Sequence, residues 1–320
     1  MKNKPILIVP GEPNSIIFEI FFKCLVSCKF KSPIIVIGSQ KILKLHMKKL
    51  KYNLMINLLD VSNIYKGKLD NKKINLIEVN YDIPFKFGKI SNKSKKHIDN
   101  CFKIAFNLIE KKITNKLING PISKRYFLKK KYLGVTEYIA NYFKIKNFAM
   151  LIYNKNISVC PITTHLPLKF VPKKINKQLI EKKIKLINFF YRNYLKKKPK
   201  FAVTGLNPHC ESISKFNEDE KIIFPSVKNM KKKGINVQGP LSADTLFLKK
   251  NRSKYNVIVG MYHDQVLTPM KTLFEFDAIN ITLGLPFIRI SPDHGPNENM
   301  VGKNLSNPTS LLRAIQFLDN

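Results

Sequence analysis

Three histidines stand far apart in the chain, each inside a short polar turn: Thr163-Thr164-His165-Leu166-Pro167, Asn207-Pro208-His209 and Tyr262-His263-Asp264-Gln265. The whole chain holds 6 His. Neutral imidazole is the commonest side-chain ligand for zinc-class ions, and three such donors with open positions left on the ion make a Lewis acid. The spacings, 44 residues (209 − 165) and 54 residues (263 − 209), match no compact structural zinc pattern. The alternative for each His is a hydrogen-bonded turn residue, so the fold must bring the three together. Each follows an apolar run of strand length: Ile157 to Ile162, Phe201 to Leu206 and Val257 to Met261. Strands of an α/β sheet deliver the residues after them to their carboxyl ends, where ligand crevices form.

A second set of polar residues lies in the last third. Asp244 sits in the turn-rich Gly239-Pro240-Leu241-Ser242-Ala243-Asp244-Thr245, Asp264 adjoins His263, and Lys271 follows eight residues after His263. Asn280 and Arg289 bracket Ile281-Thr282-Leu283-Gly284-Leu285-Pro286-Phe287, and Arg289 ends that apolar run. Arg289 reads either as half of a buried ion pair with a nearby Asp or as a fork for a phosphate or carboxylate.

The elements that must position these groups alternate along the chain. Strands are expected at Ile6 to Val9, Ile34 to Ile37, Ile74 to Val79, Lys116 to Ile118, Ala149 to Tyr153, Phe201 to Thr204, Val257 to Gly260 and Ile279 to Leu283. Helices are expected over Ser94 to Lys112 and over Ile175 to Leu195, where Ile175, Leu179, Ile180, Ile184, Ile187, Tyr191 and Leu195 share one face. Asn307-Pro308-Thr309-Ser310 before Leu311 to Leu318 predicts an N-capped helix with Pro at its first position. The pattern is that of an α/β protein without internal repeats.

With 320 residues, 44% of them hydrophobic, the chain can bury one large core or two medium ones. No apolar run approaches the length of a membrane span, and no leader-like segment precedes the first strand, so a cytoplasmic protein with no membrane partner is expected. Its 5 Cys form no Cys-x-x-Cys pair, which predicts reduced thiols packed as small hydrophobes. The net charge of +36 raises nucleic acid as a partner, yet only five of the 57 basic residues are Arg. The Lys runs (129 to 131, 182 to 183, 196 to 198, 231 to 233) are scattered and lack interleaved aromatics, so no nucleic-acid partner is expected.

The strings quoted above, with Pro10-Gly11-Glu12-Pro13, Asn119-Gly120-Pro121-Ile122-Ser123-Lys124 and Thr136-Glu137, resemble one family nearly end to end: the 4-hydroxythreonine-4-phosphate dehydrogenases of pyridoxal phosphate biosynthesis. The resemblance implies two α/β/α lobes of the isocitrate and isopropylmalate dehydrogenase type with the active cleft between them. The first lobe would comprise residues 1–133 and 285–320 and carry the cofactor loop; the second, 134–284, would carry the histidines and the dimer contact. It implies that His165, His209 and His263 bind a divalent metal shared across a homodimer, and that Thr136, Lys271, Asn280 and Arg289 contact a small phosphorylated substrate. The implied reaction oxidises the C3 hydroxyl of 4-phosphooxy-L-threonine with NAD, and the resulting β-keto acid loses carbon dioxide to give 3-amino-2-oxopropyl phosphate. Lys271 and Asp264 are candidates for proton transfer and Asp244 a more distant one; for the two Asp the equal alternative is orienting the imidazoles. Imidazole donors favour zinc, cobalt, nickel or iron over magnesium, so zinc or cobalt is expected, with magnesium the harder alternative.

Three departures from the family pattern bear on function. Val135 stands where the family usually has His, which opens a sister activity on a four-carbon sugar-acid phosphate such as D-threonate or D-erythronate 4-phosphate. Asn14-Ser15-Ile16-Ile17-Phe18 replaces a glycine-containing segment and removes backbone freedom there. Asp293-His294-Gly295, with Val301-Gly302-Lys303-Asn304 and Asn307-Pro308, looks like the adenosine-binding loop of isopropylmalate dehydrogenases, and Asn299 matches the acid that accepts from the ribose hydroxyls. An amide does not repel a 2′-phosphate, so NADP is expected to be accepted beside NAD. No Gly-x-Gly-x-x-Gly is present, and an ordinary Rossmann site is not expected. A third class, a non-catalytic anion- or nucleic-acid-binding protein, would bind DNA salt-sensitively with no need for metal.

Overall fold

The computed structural model describes residues 4–61, 64, 69–128, 131–213 and 216–320; Lys129 and Lys130 of the first Lys run lie outside them. The chain divides into two compact units, residues 1–139 with 286–320 and residues 140–285. The divisions fall six residues (139 − 133) and one residue (285 − 284) beyond the boundaries read from the sequence, and they group Thr136 and Glu137 with Arg289.

The first unit is built on six parallel strands in the order β3-β4-β2-β1-β5-β12: β1 Ile6–Val9, β2 Ile34–Gly38, β3 Ile56–Leu58, β4 Ile74–Glu78, β5 Lys116–Asn119 and β12 Ile288–Pro292. β1 and β2 are buried at every position, as their unbroken Ile/Val/Leu runs require of strands covered on both faces. Helix α3, Lys95–Glu110, lies against β1 and β2, and the last helix of the chain, Thr309–Asp319, lies against β1, β5 and β12. Pro308 takes the N-cap position rather than the first helical one expected from the sequence, because the helix begins at Thr309, and Asn307 Oδ1 accepts from Thr309 N at 2.9 Å from one residue further out. Phe22, Phe102 and Phe106 are fully buried in the first unit, each contributing about 2–3 kcal/mol. Phe22 comes from α1, Ile17–Ser27, which the sequence does not announce because it is apolar on nearly all sides. Helix α2, Gln40–Leu50, packs on α1, and α4, Val135–Tyr142, contributes Thr136 and Glu137.

The second unit has its own strand order, β11-β6-β7-β10-β8-β9, from β6 Ala149–Tyr153, β7 Ser158–Pro161, β8 Phe201–Thr204, β9 Val237–Leu241, β10 Val257–Gly260 and β11 Ile279–Leu283. β7, β10, β8 and β9 run parallel, whereas β6 is antiparallel to both β7 and β11. Helix α5, Lys177–Asn193, begins at an Asn176 cap whose Oδ1 accepts from Leu179 N at 2.9 Å. It buries Ile180, Ile184, Ile187 and Tyr191 as the periodicity predicts, and also Lys183 from one of the scattered Lys runs. Lys183 Nζ donates to the Pro161 carbonyl at 3.2 Å, so this lysine braces the end of β7 from inside. Helix α6, Phe224–Lys232, packs against β9, and α7, His263–Phe274, packs against β7 and β10. The segment read as turn-rich, Gly239 to Thr245, is instead the end of β9 followed by a one-turn helix at Ala243–Leu246. Its Gly-Pro pair hides a strand from a reading based on β propensity. All five Cys are free thiols, with Cys24, Cys101 and Cys160 buried.

Candidate functional site

In the second unit the three histidines leave the carboxyl ends of three neighbouring parallel strands. His165 follows β7, His263 follows β10, and His209 follows β8, with β10 in the middle. His165 and His263 face each other with ring centroids 6.0 Å apart and planes tilted by 38°. A zinc-class ion takes imidazole nitrogens at about 2.1 Å, so small ring rotations would direct both to one ion. His263 Nδ1 lies 2.8 Å from Asp264 Oδ1. That contact fixes Nε2 as the nitrogen presented outward, which is how metal-binding imidazoles are oriented. This donor set fits a divalent metal. Among the described residues no three His, Cys, Asp or Glu side chains of the one chain lie close enough to hold an ion.

His209 is exposed on a turn of unusual backbone. His209 and Cys210 both have positive φ, 55° and 63°. Consecutive non-glycine residues in the left-handed region cost about 1–2 kcal/mol each and persist only where the surroundings impose them. The imposing group is Asp219, which is 1% exposed. Its carboxylate accepts from Leu206 N at 2.7 Å, Asn207 N at 3.1 Å and Asn207 Nδ2 at 2.9 Å. Gly205 must lack a side chain because a Cβ would meet Asp219 Oδ1 and Cys210 Sγ, both at 2.7 Å. Burial, with Asp219 and the exposed Asp244 adding charge nearby, holds the Cys210 thiol above its ordinary pKa.

Gln265 ties the loops after β8 and β10 together. Its Oε1 accepts from Thr204 Oγ1 at 2.8 Å and Met261 N at 2.7 Å, and its Nε2 donates to the Gly205 carbonyl at 2.7 Å. Lys271 lies on α7 eight residues beyond His263, about 12 Å along the helix axis. Asn280 is on β11 opposite Ile152, and its Oδ1 is buried with no hydrogen-bond partner.

In the first unit Arg289 is the second residue of β12, 3% exposed, rather than the end of an apolar run. Its Nε donates to Asn119 Oδ1 at 2.7 Å and its Nη1 to Thr136 Oγ1 at 3.3 Å. Burial lowers its pKa to about 10, against the attraction of Glu137, so the neighbouring acid is a Glu and not the Asp considered from the sequence. Glu137 Oε2 is itself buried without a hydrogen-bond partner.

The carboxyl ends of β1, β5 and β12, adjacent and parallel, carry Pro10-Gly11-Glu12, Gly120-Pro121-Ile122-Ser123 and Asp293-His294-Gly295. The first two loops touch backbone to backbone: a Cβ at Gly11 would overlap the Pro121 carbonyl and one at Gly120 the Pro10 carbonyl. Glu12 is buried beneath them, accepting from Ser94 Oγ at 2.7 Å and Ser123 N at 3.1 Å, and burial raises its pKa. Asn14, in the loop after β1, accepts from Gly88 N at 3.2 Å and donates to the Lys86 carbonyl at 3.2 Å. In the loop after β12, Asp293 N donates to Ser310 Oγ at 2.8 Å, and His294 Nδ1 lies 2.9 Å from the Gly295 carbonyl. From α1, Lys23 Nζ reaches Glu19 Oε1 at 3.0 Å and the carbonyls of Asn304 and Ser306 at 3.1 and 2.8 Å, while Glu19 Oε1 accepts from Ser306 N at 2.5 Å. This clip, buried at Glu19 and Ser306 and partly exposed at Lys23, fixes the far end of the same loop. Asn299, exposed at the loop's crest, lines a cavity with Ser123 and Tyr126.

Asp219, Gln265, Glu12 and the Glu19–Lys23 clip are the positioning residues that the sequence reading assigned no role. Asp219 carried one signal, being one of only 21 acids in a chain with 57 bases.

A family model described as "Pyridoxal phosphate biosynthetic protein PdxA" matches residues 29–318. A 4-hydroxythreonine-4-phosphate dehydrogenase of Sulfurihydrogenibium sp. (strain YO3AOP1) is 39% identical over 317 residues, 96% of this chain and 95% of that protein. A D-threonate 4-phosphate dehydrogenase of Pectobacterium atrosepticum is 34% identical over 220 residues, 68% of each. The crystal structure of 4-hydroxythreonine-4-phosphate dehydrogenase from Klebsiella pneumoniae has a TM-score of 0.85 at 28% identity, covering 99% of this chain and 97% of that one. At the level of fold alone, an isocitrate dehydrogenase from Methylococcus capsulatus has a TM-score of 0.50 at 10% identity, covering 97% of this chain and 83% of that one. This chain belongs to the PdxA family of pyridoxal phosphate biosynthetic proteins.

Proposed function

We propose that this protein oxidises 4-phosphooxy-L-threonine at C3 with a nicotinamide nucleotide and then decarboxylates the product to 3-amino-2-oxopropyl phosphate. The observation that carries the reading is the facing pair His165 and His263, with Asp264 behind His263, on a chain of this family. A divalent ion held by His165, His209 and His263 would polarise the C3 oxygen for hydride loss and later the ketone for decarboxylation. Because one chain brings only His165 and His263 face to face, a homodimer in the cytoplasm, with the site completed by a second copy, is part of the proposal.

The side chains then have distinct tasks. Arg289, Thr136 and Asn280 hold the substrate's anionic and polar groups, and the partnerless Asn280 Oδ1 is an acceptor suited to the ammonium group. Asp264 orients His263, which leaves Lys271 to take the C3 hydroxyl proton as hydride passes from C3 to the nicotinamide ring. The bond between C1 and C2 then breaks, carbon dioxide leaves, and Lys271 returns a proton to C2. Asp293, His294, Gly295 and Asn299 would hold the nucleotide on the braced loop after β12; the extended loop, with no glycine fingerprint, fits a nucleotide bound along its backbone.

The second reading, oxidation of a sugar-acid phosphate, is favoured by Val135 and by likeness to the threonate-phosphate enzyme. The deciding experiment follows NAD(P)H formation by metal-reconstituted and chelated protein with 4-phosphooxy-L-threonine and with D-threonate 4-phosphate. Metal-dependent turnover of the amino acid alone supports the first reading, turnover of the sugar acid alone the second, and metal-independent turnover contradicts both.

A further inference from the structure

Beside the crest of the loop after β12 lies a cavity of about 550 Å³ in the first unit, walled by Lys89, Ser123, Arg125, Tyr126, Glu298 and Asn299. Its volume suits a nucleoside-sized ligand. Two cations and one acid line it, and the acid is already engaged, Glu298 Oε2 accepting from Ile90 N at 2.8 Å. Lys89 and Arg125 are exposed, and neither forms an ion pair among the described residues. The guanidinium of Arg125 lies 5.4 Å from the ring centre of Tyr126, so a flat cation and an aromatic face stand side by side. Ser123, on the same wall, is tied to the buried Glu12 by its N–H at 3.1 Å, and Tyr126 N donates to Ser123 Oγ at 3.2 Å. Ser123 Oγ thus keeps its proton for a ligand.

Two unpaired cations, a hydroxyl donor, an aromatic face and a neutral amide are the recognition set of a phosphate monoester attached to an adenosine. We propose that this cavity receives the 2′-phosphate of NADP, with Arg125 and Lys89 as its cationic contacts, and that NADP is the preferred hydride acceptor. The inference rests on the nicotinamide-dependent reading above and goes beyond the tolerance of NADP that Asn299 alone predicts. Arg125 follows the Asn119-Gly120-Pro121-Ile122-Ser123-Lys124 string by one residue, so its preference comes from a position outside the loop that carries Asn299. The same phosphate chemistry could come from the substrate, and the experiment separates the two sources.

Calorimetric titration of the full-length protein with 2′,5′-ADP, 5′-AMP and inorganic phosphate, without turnover, reads the site directly. The expected result is that 2′,5′-ADP binds about tenfold or more tighter than 5′-AMP, and that Arg125→Ala removes most of that difference while 5′-AMP affinity changes by less than about twofold. Lys89→Ala should remove part of it, and Arg125→Lys should restore part. Equal affinities for the two nucleotides, a preference that survives in Arg125→Ala/Lys89→Ala, or displacement of 2′,5′-ADP by saturating 4-phosphooxy-L-threonine would each overturn the proposal. In the first two cases, continued NAD-dependent turnover leaves the enzymatic reading standing; absence of turnover with either nucleotide defeats that reading separately.

Discussion

Asp219→Asn is a one-atom exchange with a large expected effect, because the buried carboxylate of Asp219 holds three donors of the His209 turn. An amide oxygen can replace Oδ1 or Oδ2 but not both. The cheaper choice keeps the two Asn207 bonds and turns the new NH2 toward Leu206 N, which loses its acceptor and faces another donor. One lost hydrogen bond to a charged group costs about 1.5–3 kcal/mol, and the two that remain weaken by about 0.5 kcal/mol each as the charge goes. The sum is about 3 kcal/mol. If the turn melts with the second unit, whose span is residues 140–285, the midpoint should fall by about 6–12 °C. If the turn opens locally, the loss appears instead as faster hydrogen exchange at the Leu206 and Asn207 amides, with the global melt spared. Differential scanning calorimetry and exchange mass spectrometry over residues 205–211 read the two alternatives, and weaker metal binding is expected in either. A variant melting within about 1 °C of the parent, with those amides equally protected and metal affinity unchanged, would refute the assignment of Asp219 as the group that holds the turn.

Gln265→Leu strips three partners at once and leaves Thr204, Met261 N and the Gly205 carbonyl unsatisfied, so a loss of about 2–4 kcal/mol in chemical unfolding of the second unit is expected. Gly120→Ala should lower the yield of folded protein or its midpoint sharply, because the new methyl meets the Pro10 carbonyl; a melt within about 1 °C of the parent would contradict that close approach. His263→Ala removes one of the facing imidazoles, and the expected outcome is loss of stoichiometric metal in the purified protein with the fold kept by circular dichroism. His46, buried among Phe18, Phe85 and Phe87 and bonded to the Pro13 carbonyl at 2.9 Å, has its pKa lowered to about 4 by burial, with Glu19 opposing. A His with a depressed folded pKa costs stability as acid is added: nothing is lost above about pH 6.5, and about 3 kcal/mol is lost between there and about pH 4. His46→Phe should flatten the fall of the first unit's melting midpoint over that window.

Several elements were plain in the sequence because their periodicity has one cause. β1, β2, β8 and β10 are continuous apolar runs of strand length, and the α5 stripe recurs with the helical period, so burial alone accounts for both. The three histidines stand out for the same reason, as members of the short polar turns that follow the apolar strands β7, β8 and β10. Where burial and local chemistry diverge, the reading failed. β9 contains Gly239-Pro240 and β12 carries Arg289 inside it, so each breaks the expected composition of a strand for the sake of a backbone approach or a buried charge. α7 contains Pro269, a helix breaker that packing overrides. Asp219 and Gln265 could not be ranked from sequence, because their importance lies in backbone donors and acceptors that exist only once the turns are formed.

The strand order of the first unit has a consequence for how the protein is made. β12 fills the place beside β5, yet residues 140–285 are synthesised between them. During that interval β5 presents Leu117 and Ile118 along an open parallel edge, and the Arg289 that bonds Asn119 does not yet exist. An unpaired apolar edge is a template for other chains. The nascent protein therefore carries an aggregation risk while its second unit is emerging, and β12, the strand that leads into Asp293-His294-Gly295, is the one that closes this edge.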